Sequence, residues 1–265
     1  MNAKRVWELD FLRGLSIILM VMDHFMYDLK SLPYWFVNYN QLTEDGSLMD
    51  ILYKIGSWYW TSDLRNNFHF VFVAIFLLVS GISFTFSHSN LKRGFKFTIV
   101  ALLITVVTMS VEYFTGLNIG IVFGIIHMFA LGTIITFLIR KLWNNNYFVF
   151  FVGLAFILYG LSFDFINVDY VSTVTWDNIF QIIIGIKGYG ADHFGIFPYT
   201  GVIMIGTVIG DLFYKSKQSL LPTWDKPWNK PFISAGKHTL TIFVLHQPVL
   251  FLIVYLLGTL LGYQF

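Results

Sequence analysis

Hydrophobic residues gather into seven stretches along this chain, near 11–29, 68–87, 95–115, 120–139, 147–165, 196–214 and 238–262. A helix needs about 20 apolar residues to cross the hydrocarbon core of a bilayer. The pattern therefore predicts an all-α polytopic membrane protein with about seven transmembrane helices. No tail is left for a soluble domain, so residues 1–265 read as a single transmembrane domain. The first stretch ends in Asp23-His24 with no small-residue cleavage site behind it, and is expected to be a retained span rather than a signal peptide. Two polar, aromatic segments, roughly 30–67 and 166–195, separate the stretches and read as outer loops or lids. Within the second, residues 176–185 are apolar but too short to span, which suits an interfacial segment.

The first stretch departs from a plain apolar span. It carries Asp10, Arg13, Asp23, His24 and Asp28. At 100° per residue from Arg13, His24 falls at about 20° and both Asp28 and Asp10 at about 60°, while Asp23 sits about 80° to the other side. Ionisable groups at membrane depth must face protein or a water-filled cavity. A packing seam rarely needs two acids, a base and an imidazole together, so the stripe is a candidate site. Arg13 and His24 are separated by about 16 Å along the helix axis.

Composition agrees with a membrane protein: 12% of residues are charged, against about 25% in soluble domains. A net charge of +2 gives no sign of a nucleic-acid partner, and the absence of cysteine excludes disulfides and thiolate chemistry. Seven spans place thirteen of the seventeen basic residues on one side, among them Lys4, Arg5, Arg13, Lys92, Arg93, Lys96 and Lys237. Lys30, Lys54, Arg65 and Lys187 fall on the other. The positive-inside bias then sets the N-terminus in the cytoplasm and the C-terminus outside.

Three histidines lie within spans: His24, His127 and His246. A buried imidazole needs a partner, and His127 is open equally to a structural and a site role. His69 and His193 sit at interfaces and are read as serving there. Pro248 inside the last span, just after His246-Gln247, is expected to kink it and free a carbonyl near the histidine. Gly120/Gly124 and Gly206/Gly210 have the small-xxx-small spacing that lets helices approach. In-span histidines also allow a membrane b-type cytochrome or a proton-coupled transporter. A metal site from Asp23, His24 and His127 has no ligand spacing behind it, and none is expected.

Residues 5–24, from Arg5-Val-Trp-Glu-Leu-Asp-Phe-Leu-Arg-Gly through Met22-Asp-His24, resemble the opening signature of the heparan-α-glucosaminide N-acetyltransferase catalytic-domain family of transmembrane acyltransferases. Residues 76–84, 124–131, 197–206 and 234–249 fit the same family in order. The resemblance implies acetyl-CoA bound from the cytoplasm and an acetyl group passed to an amine or hydroxyl, as of a sugar, on the far side. It places the cell membrane, more readily a prokaryotic plasma membrane than an organelle, as the location, and a homodimer is compatible with it. Asp10, Arg13, Gly14, His246 and Gln247 then become the cofactor-binding candidates. His24, Asp28, Asp23 and His127 become the catalytic ones, with His24 as general base oriented by Asp28 or Asp23. His24 aligns with a functional asparagine of the animal lysosomal enzyme. The reactive histidine of that enzyme's first extracytoplasmic loop has no counterpart, and Trp35 stands near its place.

Overall fold

In the computed structural model, residues 6–116, 119–163, 165, 168–190 and 192–265 are described. Lys4 and Arg5, counted above for orientation, lie outside them. The helices run α1 (Trp7–Lys30), α2 (Leu32–Trp35), α3 (Tyr39–Leu42), α4 (Leu48–Thr61), α5 (Asp63–Phe84), α6 (Asn90–Thr115), α7 (Ile125–Leu142) and α8 (Asn146–Leu161). They continue with α9 (Ile179–Ile184), α10 (Tyr199–Phe213), α11 (Lys230–Lys237) and α12 (Thr239–Leu260). Each of the seven apolar stretches contains a helix. Four of these, α5, α6, α7 and α12, are long and apolar enough to cross a membrane, while α8 and α10 are shorter apolar helices. At 24 residues α1 has the length as well, but Glu8, Asp10, Arg13, Asp23, Asp28 and Lys30 interrupt its apolar character.

The chain divides into two compact units. One joins the residues up to Phe76 to Leu221–Phe265, and the other is Leu77–Leu220. In the first unit α1 is the common element, with α4, α11 and α12 packed along it. Where α11 crosses α1 the backbones nearly touch. A Cβ on Gly14 would collide with the Phe232 carbonyl, and one on Gly236 with the Asp10 carbonyl. Backbone cannot swing aside as a side chain can. Gly236→Ala is therefore expected to destabilise by about 1–3 kcal/mol, as overpacking does, read as a lower melting temperature in detergent. An unchanged Tm would mean that this crossing is not tight.

The 30–67 segment is not a loop. Most of it is α2, α3 and α4. Met49, Leu52, Tyr53, Gly56 and Trp60 recur at helical spacing, and this stripe turns α4 onto α1. Gly56 brings it against the backbone at Met26 and Lys30. Leu29, Leu32, Phe36, Tyr39, Met49, Val254 and Tyr263 form one core there, and Val37 N–H donates to the Gln264 carbonyl at 2.8 Å to pin the C-terminal residues.

In the second unit α10 is gripped by glycine contacts. Gly206 lies against Leu78 and Gly81 of α5, and Gly210 against Ile82 and Thr85. The Gly206/Gly210 spacing thus does bring helices together. Gly120 and Gly124 do not, because α7 begins only at Ile125 and Gly124 is its N-cap. The chain is all-α as expected, and its described residues add one small parallel pair, β1 (Asp169–Tyr170) with β2 (Lys187–Gly188), in register Asp169 to Lys187. The apolar 176–185 segment contains only the six-residue α9, whose Ile182 is fully buried.

Candidate active site on the first helix

Two turns before the end of α1, His24 meets His246 of α12, with ring centroids 4.8 Å apart and planes 80° from parallel. Each ring is held by its own helix. His24 Nδ1 lies 2.9 Å from the Met20 carbonyl, and His246 Nδ1 lies 2.6 Å from the Phe243 carbonyl. A carbonyl only accepts, so in both rings Nδ1 carries the hydrogen and Nε2 is left with the lone pair of the neutral imidazole. Both rings thus present the same atom for proton chemistry. Helix α12 continues through Pro248 as one element. The proline has no N–H for the Val244 carbonyl, one residue from the carbonyl that holds His246.

One turn beyond His24, Asp28 is fully buried, and its Oδ1 accepts from Gln247 Nε2 at 2.9 Å. Asp28 Oδ2, Gln247 Oε1 and His246 Nε2 are buried without a hydrogen-bond partner among the described residues. Buried polar atoms are nearly always paired in folded proteins. The three atoms belong to Asp28 and to the consecutive residues His246 and Gln247.

Asp23 points elsewhere. The guanidinium of Arg65 grips it as a fork, Nε to Oδ1 at 3.1 Å and Nη2 to Oδ2 at 3.3 Å, and the Tyr59 hydroxyl donates to Oδ1 at 3.2 Å. Arg65 also lies 3.8 Å above the Trp60 ring, which in turn packs on Tyr27 at 5.0 Å. His69 Nδ1 is 3.7 Å from Asp23 Oδ2. Neither Asp28 nor Asp23 orients His24 as expected, because the Met20 carbonyl does so. Sequence alone gives Arg65 a place only in the topology, and His69 one only at an interface. The available signal was electrostatic: Asp23, off the main stripe, needed a cation.

At the other end of α1, Arg13 Nη1 donates to Asp10 Oδ1 at 2.7 Å. The Arg13 side chain keeps 19% of its surface exposed. Gly14, a cofactor-binding candidate from sequence, forms the crossing with α11 described above. His246 and Gln247, grouped with it on sequence, stand instead with His24 and Asp28.

His127 belongs to the second unit. Its Nδ1 accepts from Gly124 N–H at 3.2 Å, closing the first turn of α7, and Nε2–H donates to Thr105 Oγ1 at 2.8 Å. Both nitrogens are engaged in holding that helix start. Close by, Glu112 accepts from Gly120 N–H at 2.7 Å and from the Tyr189 hydroxyl at 3.2 Å. Burial, with the Glu112 carboxylate adding to it, pushes the Tyr189 hydroxyl up. Burial pushes His193 down to about 4, so that ring is neutral at physiological pH. Arg140 links Asp211, Thr207, Asn144 and Asn146, tying α7 to α10 and to the start of α8.

A family model described as "Heparan-alpha-glucosaminide N-acetyltransferase, catalytic" matches residues 5–45 and 48–248. The chain belongs to this family. No curated protein and no solved structure matches it. Membership of the heparan-alpha-glucosaminide N-acetyltransferase catalytic family, together with four helices apolar enough to span among the described residues, makes this a multi-pass membrane protein of the acetyltransferase kind. It also bears on the haem alternative. Two axial imidazoles must stand on opposite faces of a macrocycle, and rings already in edge-to-face contact leave no space for one.

Proposed function

We propose that this protein is a membrane-embedded acyltransferase that moves an acetyl or other short acyl group from cytoplasmic acyl-CoA to an amine or hydroxyl, in a sugar acceptor, on the extracytoplasmic side. The observation that carries the reading is His24, a span imidazole fixed through Nδ1 with Nε2 as its basic atom, beside a wholly buried carboxyl. The family match runs over residues of both compact units, which supports treating all 265 as one catalytic domain. The cytoplasmic N-terminus rests on the basic asymmetry, and a prokaryotic plasma membrane on the resemblance alone.

A thioester supplies an already activated acyl carbon. What is left for the protein is to deprotonate the acceptor and to stabilise developing negative charge. His24 Nε2 is suited to the first task. Gln247, next to His246, donates to Asp28, one turn beyond His24, and so ties the helix that carries one imidazole to the helix that carries the other. Asp23, gripped by Arg65, keeps this part of α1 in register with α4 and α5 rather than handling the proton. His127 is assigned to the start of α7. The exposed part of Arg13, with Lys237 in the last turn of α11, suits CoA phosphates arriving from the cytoplasm.

Two measurements test the reading. The purified protein is expected to gain thermal stability from acetyl-CoA and to release CoA thiol when glucosamine is supplied. A Soret band, or no response to any acyl-CoA, would overturn it. Arg13→Ala is expected to raise the KM for acetyl-CoA ten- to a hundred-fold with kcat nearly unchanged. A charge-assisted phosphate contact contributes about 1.5–3 kcal/mol and is made equally in ground and transition states.

A further inference from the structure

We propose that His246 is a catalytic residue, forming with His24 a two-imidazole relay that carries the acceptor's proton to the departing sulfur. This rests on the acyltransferase reading and extends it. Transfer of an acyl group from a thioester to an amine or hydroxyl removes one proton from nitrogen or oxygen and must place one on sulfur. A single ring could do both only by turning from one partner to the other. The Met20 carbonyl holds Nδ1 of His24 and opposes that turn.

The geometry supplies a second ring instead. His246 touches His24 at 4.8 Å and is anchored in the same manner, by Nδ1 on the Phe243 carbonyl. Its Nε2 is buried with no partner among the described residues. His127, by contrast, engages both nitrogens, with Gly124 and Thr105. In sequence Gln247 follows His246, and through its bond to Asp28 it fixes α12 against α1 at this level.

The steps balance. The acceptor atom bonds to the acyl carbon while its hydrogen passes to His24 Nε2, and the carbonyl π pair moves onto oxygen. That pair returns as the carbon–sulfur bond breaks, with the bonding electrons staying on sulfur. The proton moves from His24 Nε2 to His246 Nε2 through one bridging water, two protons shifting together while both rings stay anchored at Nδ1, and then to sulfur. Both rings end neutral. While either is an imidazolium, its Nδ1–H bond to a carbonyl becomes charge-assisted and therefore stronger. Anchoring at Nδ1 thus favours the charged state that the relay passes through.

The experiment uses the full chain in detergent, with acetyl-CoA as donor, glucosamine as probe acceptor and a thiol-reactive dye as readout; the protein contains no cysteine to add background. His246→Gln is expected to lower kcat by about 10²–10⁴ and to leave the KM for acetyl-CoA within about twofold, as for a group acting only in the transition state. Wild-type kcat, measured across mixtures of H₂O and D₂O, is expected to fall along a bowed curve, the signature of more than one proton in flight. A raised KM with unchanged kcat would make His246 a contact for the CoA arm and overturn the relay. A straight line in the isotope mixtures would overturn it too, and this measurement needs no variant should His246→Gln fail to fold. In either case thiol release by the wild type would leave the acyltransferase reading standing. Wild-type protein that releases no thiol with glucosamine or water overturns that reading, and the relay with it.

Discussion

His24→Ala is expected to lower kcat by about 10²–10⁴, the usual range for a lost general base, with acetyl-CoA binding nearly intact. The structure gives this a physical basis that the helical wheel could not. The Met20 carbonyl fixes the tautomer, so Nε2 is the only basic atom the ring offers. Alanine removes that atom along with the edge-to-face contact to His246, and some stability is expected to go with it. His24→Asn separates the two effects. An asparagine fills much of the space but has no basic nitrogen, so a purely structural His24 predicts near wild-type turnover for Asn and a lowered melting temperature for Ala. A catalytic His24 predicts that both variants lose turnover, whatever their melting temperatures. Steady-state kinetics beside a melting curve decides it, and wild-type kcat in both variants would remove His24 from the chemistry.

Much of the helical frame was legible because apolar run length is a strong signal. A span cannot hide about 20 apolar residues, and each predicted stretch holds a helix. The polar stripe on α1 was legible for a related reason: 100° periodicity places Arg13, Asp10, His24 and Asp28 together without any tertiary information. What periodicity cannot supply is the partner. Nothing in the spacing of α1 says that Asp23 meets Arg65, forty-two residues on, or that Asp28 meets Gln247. The α4 helix was missed because its polar residues, Asp50, Lys54 and Ser57, mask an apolar stripe too short to suggest a span. Sequence does not decide His127, because a helix-capping imidazole and a site imidazole look alike there. Only the Gly124 and Thr105 contacts distinguish them.

Those unseen partners lead to the largest stability effect expected outside the histidines. Asp23 is 7% exposed as a residue and receives two N–H groups from Arg65 and one hydroxyl from Tyr59. Arg65→Leu leaves that carboxylate without its counter-charge in a poorly solvated place. Breaking a buried pair from one side costs about 3–5 kcal/mol. The Arg65 side chain retains 19% exposure, which allows some water in and sets the expectation near the lower end, about 3 kcal/mol, or roughly a hundredfold in the folded ratio. Removing both charges differs from removing one. An apolar replacement of an entire buried pair is often neutral, so Asp23→Leu with Arg65→Leu is expected to recover most of what Arg65→Leu alone loses. A double-mutant cycle on melting in detergent reads this directly. The same double variant also separates positioning from chemistry at Asp23. If the acid only holds α1 in register, the recovered protein turns over within about tenfold of wild type; if Asp23 handles the proton, the protein folds yet stays inactive.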